Sequence, residues 1–327
     1  MISTRARIFN LFLKYVVKPL QAHGYIPPII MRIVYFLAHN VAALWPIPRY
    51  VEIAPVNTVE ARGEWVKIRN RPRPRSKKIV FYLHGGGYFF GSPRTHRNLT
   101  WRLSKKLNVD VFSLRYRLAP KHPIQTSVSD SISSYRWLLS QGYCAEDIVI
   151  GGDSAGGNLT LLTLQKIKEL NLPMPTAAFC LSPLTDMASE GDSMVSNAKH
   201  DPMFHHRAMR YVTRFHARHH DDPRHPEISP VHSNFEGFPP LLLQVGSTEI
   251  LLNDSERVAV SAREAGVLVE LAVWHQMPHV FSLFGGIVPE SIHGIREIAE
   301  FIGKHLFGTV SLNSVQHKTK ILIDTMP

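Results

Sequence analysis

Short, mostly apolar runs alternate along the chain with stretches in which apolar residues recur every three or four positions. The short runs fall at 79–83, 109–114, 148–150, 177–181, 241–245 and 267–274. Their length and β-branched content read as buried strands. Between them, 99–107, 127–139, the stretch carrying Leu159, Leu162, Ile167 and Leu170, and 290–306 have helical spacing. Strands without an inside-outside alternation, separated by helices, predict an α/β fold with a mostly parallel central sheet covered on both faces. Ahead of these, 59–62 and 64–69 read as a strand pair turning at Gly63. The pattern weakens from 186 to 235, and 309–327 reads as a polar tail with one apolar patch at Ile321, Leu322 and Ile323.

The first fifty residues precede that alternation. Arg7, Asn10, Lys14 and Lys18 share one helical face, with Ile8, Phe9, Leu11, Phe12, Val16 and Val17 on the remaining arc. Lys14 interrupts the apolar run and no small-residue cleavage site follows, which argues against a signal peptide. A second apolar segment, 29–45, opens after Pro27-Pro28 and contains Arg32, His39 and Asn40. A membrane span bears such polar groups only at high cost, so stable membrane insertion is not expected.

Chemistry enters at two stretches. Gly152, Ser154 and Gly156 fit G-x-S-x-G directly after the 148–150 strand and before a helical pattern. A serine on a sharp strand-to-helix turn projects its hydroxyl clear of the sheet, and the crowding forbids bulk two positions to either side. The new helix also turns its free N–H groups toward that hydroxyl. Upstream, His84-Gly85-Gly86-Gly87 follows the 79–83 strand. Three consecutive glycines leave N–H groups bare to face an oxygen that becomes negative only in a transition state. An HGGG after one strand and a G-x-S-x-G after a later one match the lipase and esterase pattern.

These two motifs, with Tyr88, Tyr116-Arg117-Leu118-Ala119-Pro120 and Ser182-Pro183, resemble the hormone-sensitive-lipase family of α/β-hydrolase esterases, which includes the bacterial family IV enzymes. The resemblance runs from about 59 to 306 in the family's order. Lys121 stands where the family usually has an acid, which removes any salt bridge that acid would make. The resemblance implies a helical cap over the active site, built from 1–50 and 186–235, on a hydrolase core formed by 51–185 and 236–308. It also implies an oxyanion hole at Gly85, Gly86, Gly87 and Ala155, and places Tyr88 and Asp153 at the substrate.

The remaining catalytic residues follow the chain order Ser, acid, His of this fold. Glu249 lies just past the 241–245 strand, where the family most often carries Asp; a glutamate can equally accept the imidazole Nδ1–H. Asp254 is its rival, although Asn253 and Glu256 around it look like a helix cap. For the base, His279-Val280-Phe281 fits the family's His followed by a hydrophobic pair, ahead of His275 and His293. The expected function is therefore a serine carboxylesterase acting on short- to medium-chain esters through Ser154, His279 and Glu249. An amidase or deacetylase with the same triad, or a ligand-binding relative without catalysis, are the alternatives.

The formal charge of +11 is spread along the chain with no nucleic-acid module, so it reads as a solvated surface. Cys144 and Cys180 give no disulfide framework and read as reduced core residues of a cytoplasmic protein. His216 and His220, four apart in a histidine-rich segment, could share a helix face and bind a metal. In a chain with 18 histidines that spacing arises by chance, and neither metal nor organic cofactor is expected. The partner is a small ester; a homodimer is possible in this family.

Overall fold

The computed structural model describes residues 2–22, 24, 46–70 and 77–308, with the backbone of 318–322. The second N-terminal apolar segment, residues 71–76 and most of the tail lie outside the described residues.

Nine strands form one sheet in the order β1-β2-β4-β3-β5-β6-β7-β8-β9. They are β1 (Val51–Asn57), β2 (Arg62–Ile68), β3 (Ile79–Leu83), β4 (Asp110–Leu114), β5 (Ile148–Asp153), β6 (Ala177–Leu181), β7 (Leu241–Gly246), β8 (Val269–Trp274) and β9 (Lys318–Leu322). Only β2 runs against its neighbours; from β4 to β9 every pairing is parallel. Parallel neighbours need crossovers, and the helices supply them. Besides α1 (Thr4–Phe12), these are α2 (Pro93–Leu107), α3 (Ile124–Ser140), α4 (Ala155–Glu169), α5 (His206–Ala217), α6 (Leu252–Glu264) and α7 (Pro289–Phe307).

The five central strands are buried at nearly every residue, as both-face coverage demands. One core cluster joins Phe81, Ile150 and Leu243 to Tyr135 of α3, Leu159 of α4 and Val258 of α6. The other joins Val80, Val149 and Leu242 to Leu99 and Leu103 of α2 and Ile298 and Ile302 of α7. The two clusters are the two sides of one sheet, giving three layers.

Three readings are corrected. The first hairpin turns at 58–61, closed by Thr58 Oγ1 accepting from the Ala61 N–H at 2.9 Å. Gly63 lies inside β2, where a Cβ would come 2.2 Å from the Ser113 carbonyl oxygen of β4. Cys180 is buried, but Cys144 is exposed, in the turn before β5. The apolar patch of the tail supplies β9, which extends the sheet beyond β8.

Candidate active site

β5 ends in the proposed elbow. Ser154 sits at φ 53° and ψ −118°, between the strand and α4. A non-glycine residue at positive φ is held there only when its surroundings over-determine it, at a cost of about 1–3 kcal/mol. Those surroundings are visible. The Ser154 N–H donates to the Leu181 carbonyl at 2.8 Å, and its own carbonyl accepts from the Leu184 N–H at 3.1 Å. A Cβ on Gly152 would meet the Leu83 carbonyl oxygen at 2.2 Å, and one on Gly156 would meet the same atom at 2.0 Å. The elbow therefore rests on the C-terminal end of β3, backbone against backbone, and the two glycines permit that approach.

The glycine loop begins where β3 ends. Asp153 holds it from below: Oδ1 accepts from the Gly85 N–H at 2.9 Å and the Tyr82 hydroxyl at 2.6 Å, and Oδ2 faces His96 Nε2 at 3.2 Å. Burial opposes both charges, yet the mutual attraction and hydrogen bonds outweigh it. The carboxyl is held below its usual range and His96 above its own. Gly86 and Gly87 take φ values of 117° and 60°, and among the described residues neither N–H donates to a protein group. The Gly85 N–H, expected in the oxyanion hole, is instead spent on Asp153. That leaves Gly86, Gly87 and Ala155 as the candidate donors.

Neither residue expected to bind substrate offers it a free polar atom. The carboxylate of Asp153 is occupied as above. Tyr88 is buried, and its hydroxyl donates to Asn158 Oδ1 at 2.6 Å, which ties the loop to α4. Both act on the scaffold. A cap residue reaches the same loop: His216 of α5 donates from Nε2 to the Gly87 carbonyl at 2.8 Å. Burial pushes the His216 pKa down to about 4, so the ring is neutral with its proton on the donating nitrogen.

The candidate acid and base come from adjacent strand ends. Glu249 follows β7, His279 follows β8, and His279 Nδ1 lies 2.7 Å from Glu249 Oε2. Glu249 is fully buried, and its other oxygen accepts from the Gly246 N–H at 2.6 Å and the Ser182 hydroxyl at 2.7 Å. Ser182 Oγ in turn accepts from the N–H of Val280 at 3.0 Å. His279 Nε2 is buried and has no hydrogen-bond partner among the described residues. The edge of the Phe204 ring covers the imidazole, with centroids 4.6 Å apart.

Asp254 points elsewhere. It lies in the first turn of α6, and Oδ2 accepts from the backbone N–H groups of Thr185 at 2.6 Å and Asp186 at 3.0 Å. Burial raises its pKa to about 7, reinforced by Asp186. His275 is half-buried in the loop after β8, and His293 is half-buried on α7.

A buried imidazole with one nitrogen on a carboxylate and the other unpaired, together with N–H groups bared by glycines, is a constellation for acyl transfer. The α/β-hydrolase fold family model matches residues 80–283. An esterase of the bacterial hormone-sensitive-lipase family, of known structure, superposes with a TM-score of 0.84 at 32% identity, over 94% of this chain and 100% of that one. The chain belongs to the hormone-sensitive-lipase family of α/β-hydrolases. Among its relatives in the family, an esterase of Acinetobacter venetianus is 34% identical over 258 residues, 79% of this chain and 84% of the relative. The carboxylesterase/phospholipase LipF of Mycobacterium tuberculosis is 30% identical over 307 residues, 92% of this chain and 82% of the relative.

Within that family frame, the pairing of His216 with His220 does not form. α5 ends at Ala217, so His216 turns inward to Gly87 while His220 meets the Gln125 amide at 2.7 Å. Three contributors escape a sequence reading. Ser182 was visible only as part of a Ser-Pro pair. His96 was one residue of an ordinary helix. Asp201 accepts from the N–H groups of Met203, Phe204 and Ile250, joining the cap turn to the residue after Glu249; burial lifts its pKa to about 6. The contacts that bring them to the site, to Ile250, Asp153 and Glu249, lie far away in sequence, so no local signal marks them.

Proposed function

We propose that this chain is a serine carboxylesterase working through Ser154, His279 and Glu249. His279 takes the Ser154 proton as the oxygen attacks the ester carbonyl. The N–H groups of Gly86, Gly87 and Ala155 stabilise the oxyanion. His279 then protonates the departing alcohol, and water repeats the cycle to free the acid. Throughout, Glu249 holds the imidazole in one tautomer and balances its charge. The observation that carries this reading is the buried Glu249–His279 pair with Nε2 left unpaired. The esterase names of the relatives support ester hydrolysis.

Short- to medium-chain esters are the proposed substrates, because the cap bounds the space above the nucleophile. Phe204 lies on His279, and Val212 of α5 lies 3.7 Å from where a Cβ of Gly87 would be. The test is hydrolysis of p-nitrophenyl esters from acetate to palmitate by the parent and by Ser154→Ala, with labelling by a fluorophosphonate probe. The expected optimum lies at butyrate to hexanoate. Ser154→Ala should lose label and several orders of magnitude in kcat while staying folded. Near-normal turnover by that variant, or a parent that cleaves the matching anilide faster than the ester, overturns the proposal.

A further inference from the structure

The first helix carries apolar side chains on two faces. One face is docked: Ala6 and Phe9 pack with Trp274, Met277 and Phe281, and Phe9 meets the Phe284 ring at 4.7 Å. Ser3 binds Glu290 and Asn10 binds the Gln276 carbonyl, so the orientation of the helix is fixed. The other face is in solvent. Ile8, Leu11, Phe12, Tyr15, Val16 and Leu20 recur at helical spacing through α1 and the turns that follow, and all six are exposed, from 50% at Val16 to 80% at Leu20. A continuous exposed apolar stripe on a surface helix marks an interaction face.

Charge identifies the partner. No Asp or Glu precedes Glu52, whereas Arg5, Arg7, Lys14, Lys18, Arg32 and Arg49 all do. Arg5, Arg7 and Lys14 are exposed on the helix itself or its continuation. A second copy docked on the stripe would bring cations against cations with no acid of this segment between them. An anionic lipid surface meets both features at once. The location also fits. Lys18 Nζ donates to the carbonyls of Ala198 at 2.7 Å and Asp201 at 2.6 Å, and Gln21 donates to that of Met203 at 2.9 Å. The next residue, Phe204, covers His279.

We propose that the stripe Ile8-Leu11-Phe12-Tyr15-Val16-Leu20 docks this protein reversibly on the surface of an anionic phospholipid bilayer, with the site beside it drawing ester substrates dissolved in that bilayer. The second half rests on the proposed esterase activity; the docking itself does not. The helix lies in the interface and does not cross it: among the described residues no helix is long and apolar enough to span a membrane.

The test is co-sedimentation of the full chain with large vesicles, either phosphatidylcholine alone or an equal mixture with phosphatidylglycerol, at low and high salt. The parent should bind the anionic vesicles and release in high salt. Leu11→Ser with Phe12→Ser should weaken partitioning at least about tenfold, and Arg5→Glu with Arg7→Glu by a similar factor. Both double variants should keep the parent's melting temperature and its turnover of p-nitrophenyl butyrate in vesicle-free buffer. Failure of the parent to bind anionic vesicles, or undiminished binding by the serine variant, overturns the proposal. So does a parent dimer, seen by light scattering, that the serine variant splits. A parent that binds vesicles but hydrolyses no ester refutes the esterase reading and leaves the docking standing.

Discussion

His216, on α5, donates its Nε2 proton to the carbonyl of Gly87, in the glycine loop after β3. A cap residue thus fixes the peptide plane next to a proposed oxyanion donor. Around it, Tyr88 and Phe89 of the loop meet the His216 ring with centroids 5.4 and 4.9 Å away, so the contact is packed as well as hydrogen-bonded. Helix α5 thus helps to set the geometry of the glycine loop.

Removing that donor should act on the transition state. His216→Ala leaves the Gly87 carbonyl without its partner, and a lost buried hydrogen bond costs about 1–3 kcal/mol. We expect kcat on a butyrate ester to fall about tenfold with KM little changed, because the loop, and not the substrate contact, is loosened. His216→Gln can still donate and should recover part of the loss. Equal kinetics for all three proteins would show that the contact is only structural.

The same histidine should shape stability against pH. Folded, its pKa is about 4; in the unfolded chain it returns to the ordinary histidine value of about 6.5. Between those values the unfolded chain takes up a proton that the folded one refuses. Stability from this group is intact above pH 6.5, declines as the pH falls, and stops declining near 4, a loss of about 3 kcal/mol at most. Urea unfolding of the parent and His216→Gln at pH 7.5, 5.5 and 4.5 measures it. The parent should lose more stability than the variant on acidification; parallel losses would assign the acid sensitivity to other groups.

Ser182 links the acid to the base. Its hydroxyl donates to Glu249 and accepts from the N–H following His279, from a residue at φ 46°. Ser182→Gly removes the hydroxyl while suiting the positive φ, so a fall in kcat of about tenfold should come without a drop in melting temperature. Glu249→Gln should cost far more, of the order of 10⁴ by comparison with the analogous change in a serine protease. Asp254→Asn should leave kcat close to the parent's. Inactive Asp254→Asn beside active Glu249→Gln would reverse the assignment.

Gly156 should tolerate no side chain. The Cβ of an alanine would sit 2.0 Å from the Leu83 carbonyl oxygen and 2.6 Å from that of His84, and backbone atoms cannot swing away as a flexible side chain can. Gly156→Ala should lose about 3 kcal/mol or more, by separation of the elbow from β3. Thermal unfolding and probe labelling read both halves of that expectation. An alanine variant as stable and as reactive as the parent would mean that the elbow can move.

The sheet, the strand-to-helix turn at Ser154 and the place of Glu249 just past β7 were legible because each is written locally. Apolar runs, glycine spacing and a carboxylate just past a strand require only neighbouring residues. The support around them was not. Asp153 reads as a site residue because it adjoins Ser154, but its carboxylate turns back to Gly85 and His96. His216 offers a shared helix face only through its spacing of four from His220, and the helix ends between them. In both cases tertiary contact decides the role. The turn at 58–61 was misplaced for a similar reason: Gly63 answers to the approach of β4 and makes no turn of its own.

Ser3 spends both its amide and its hydroxyl on the Glu290 carboxylate, at 2.6 and 2.9 Å, so the start of the chain is bolted to the start of the last long helix. A tag fused ahead of Ser3 therefore starts about 10 Å, seven residues of helix, from the contact of Asn10 with Gln276 in the loop after β8. The tail offers no retreat from that loop, because Leu322 at the end of β9 pairs with Trp274, the residue before it.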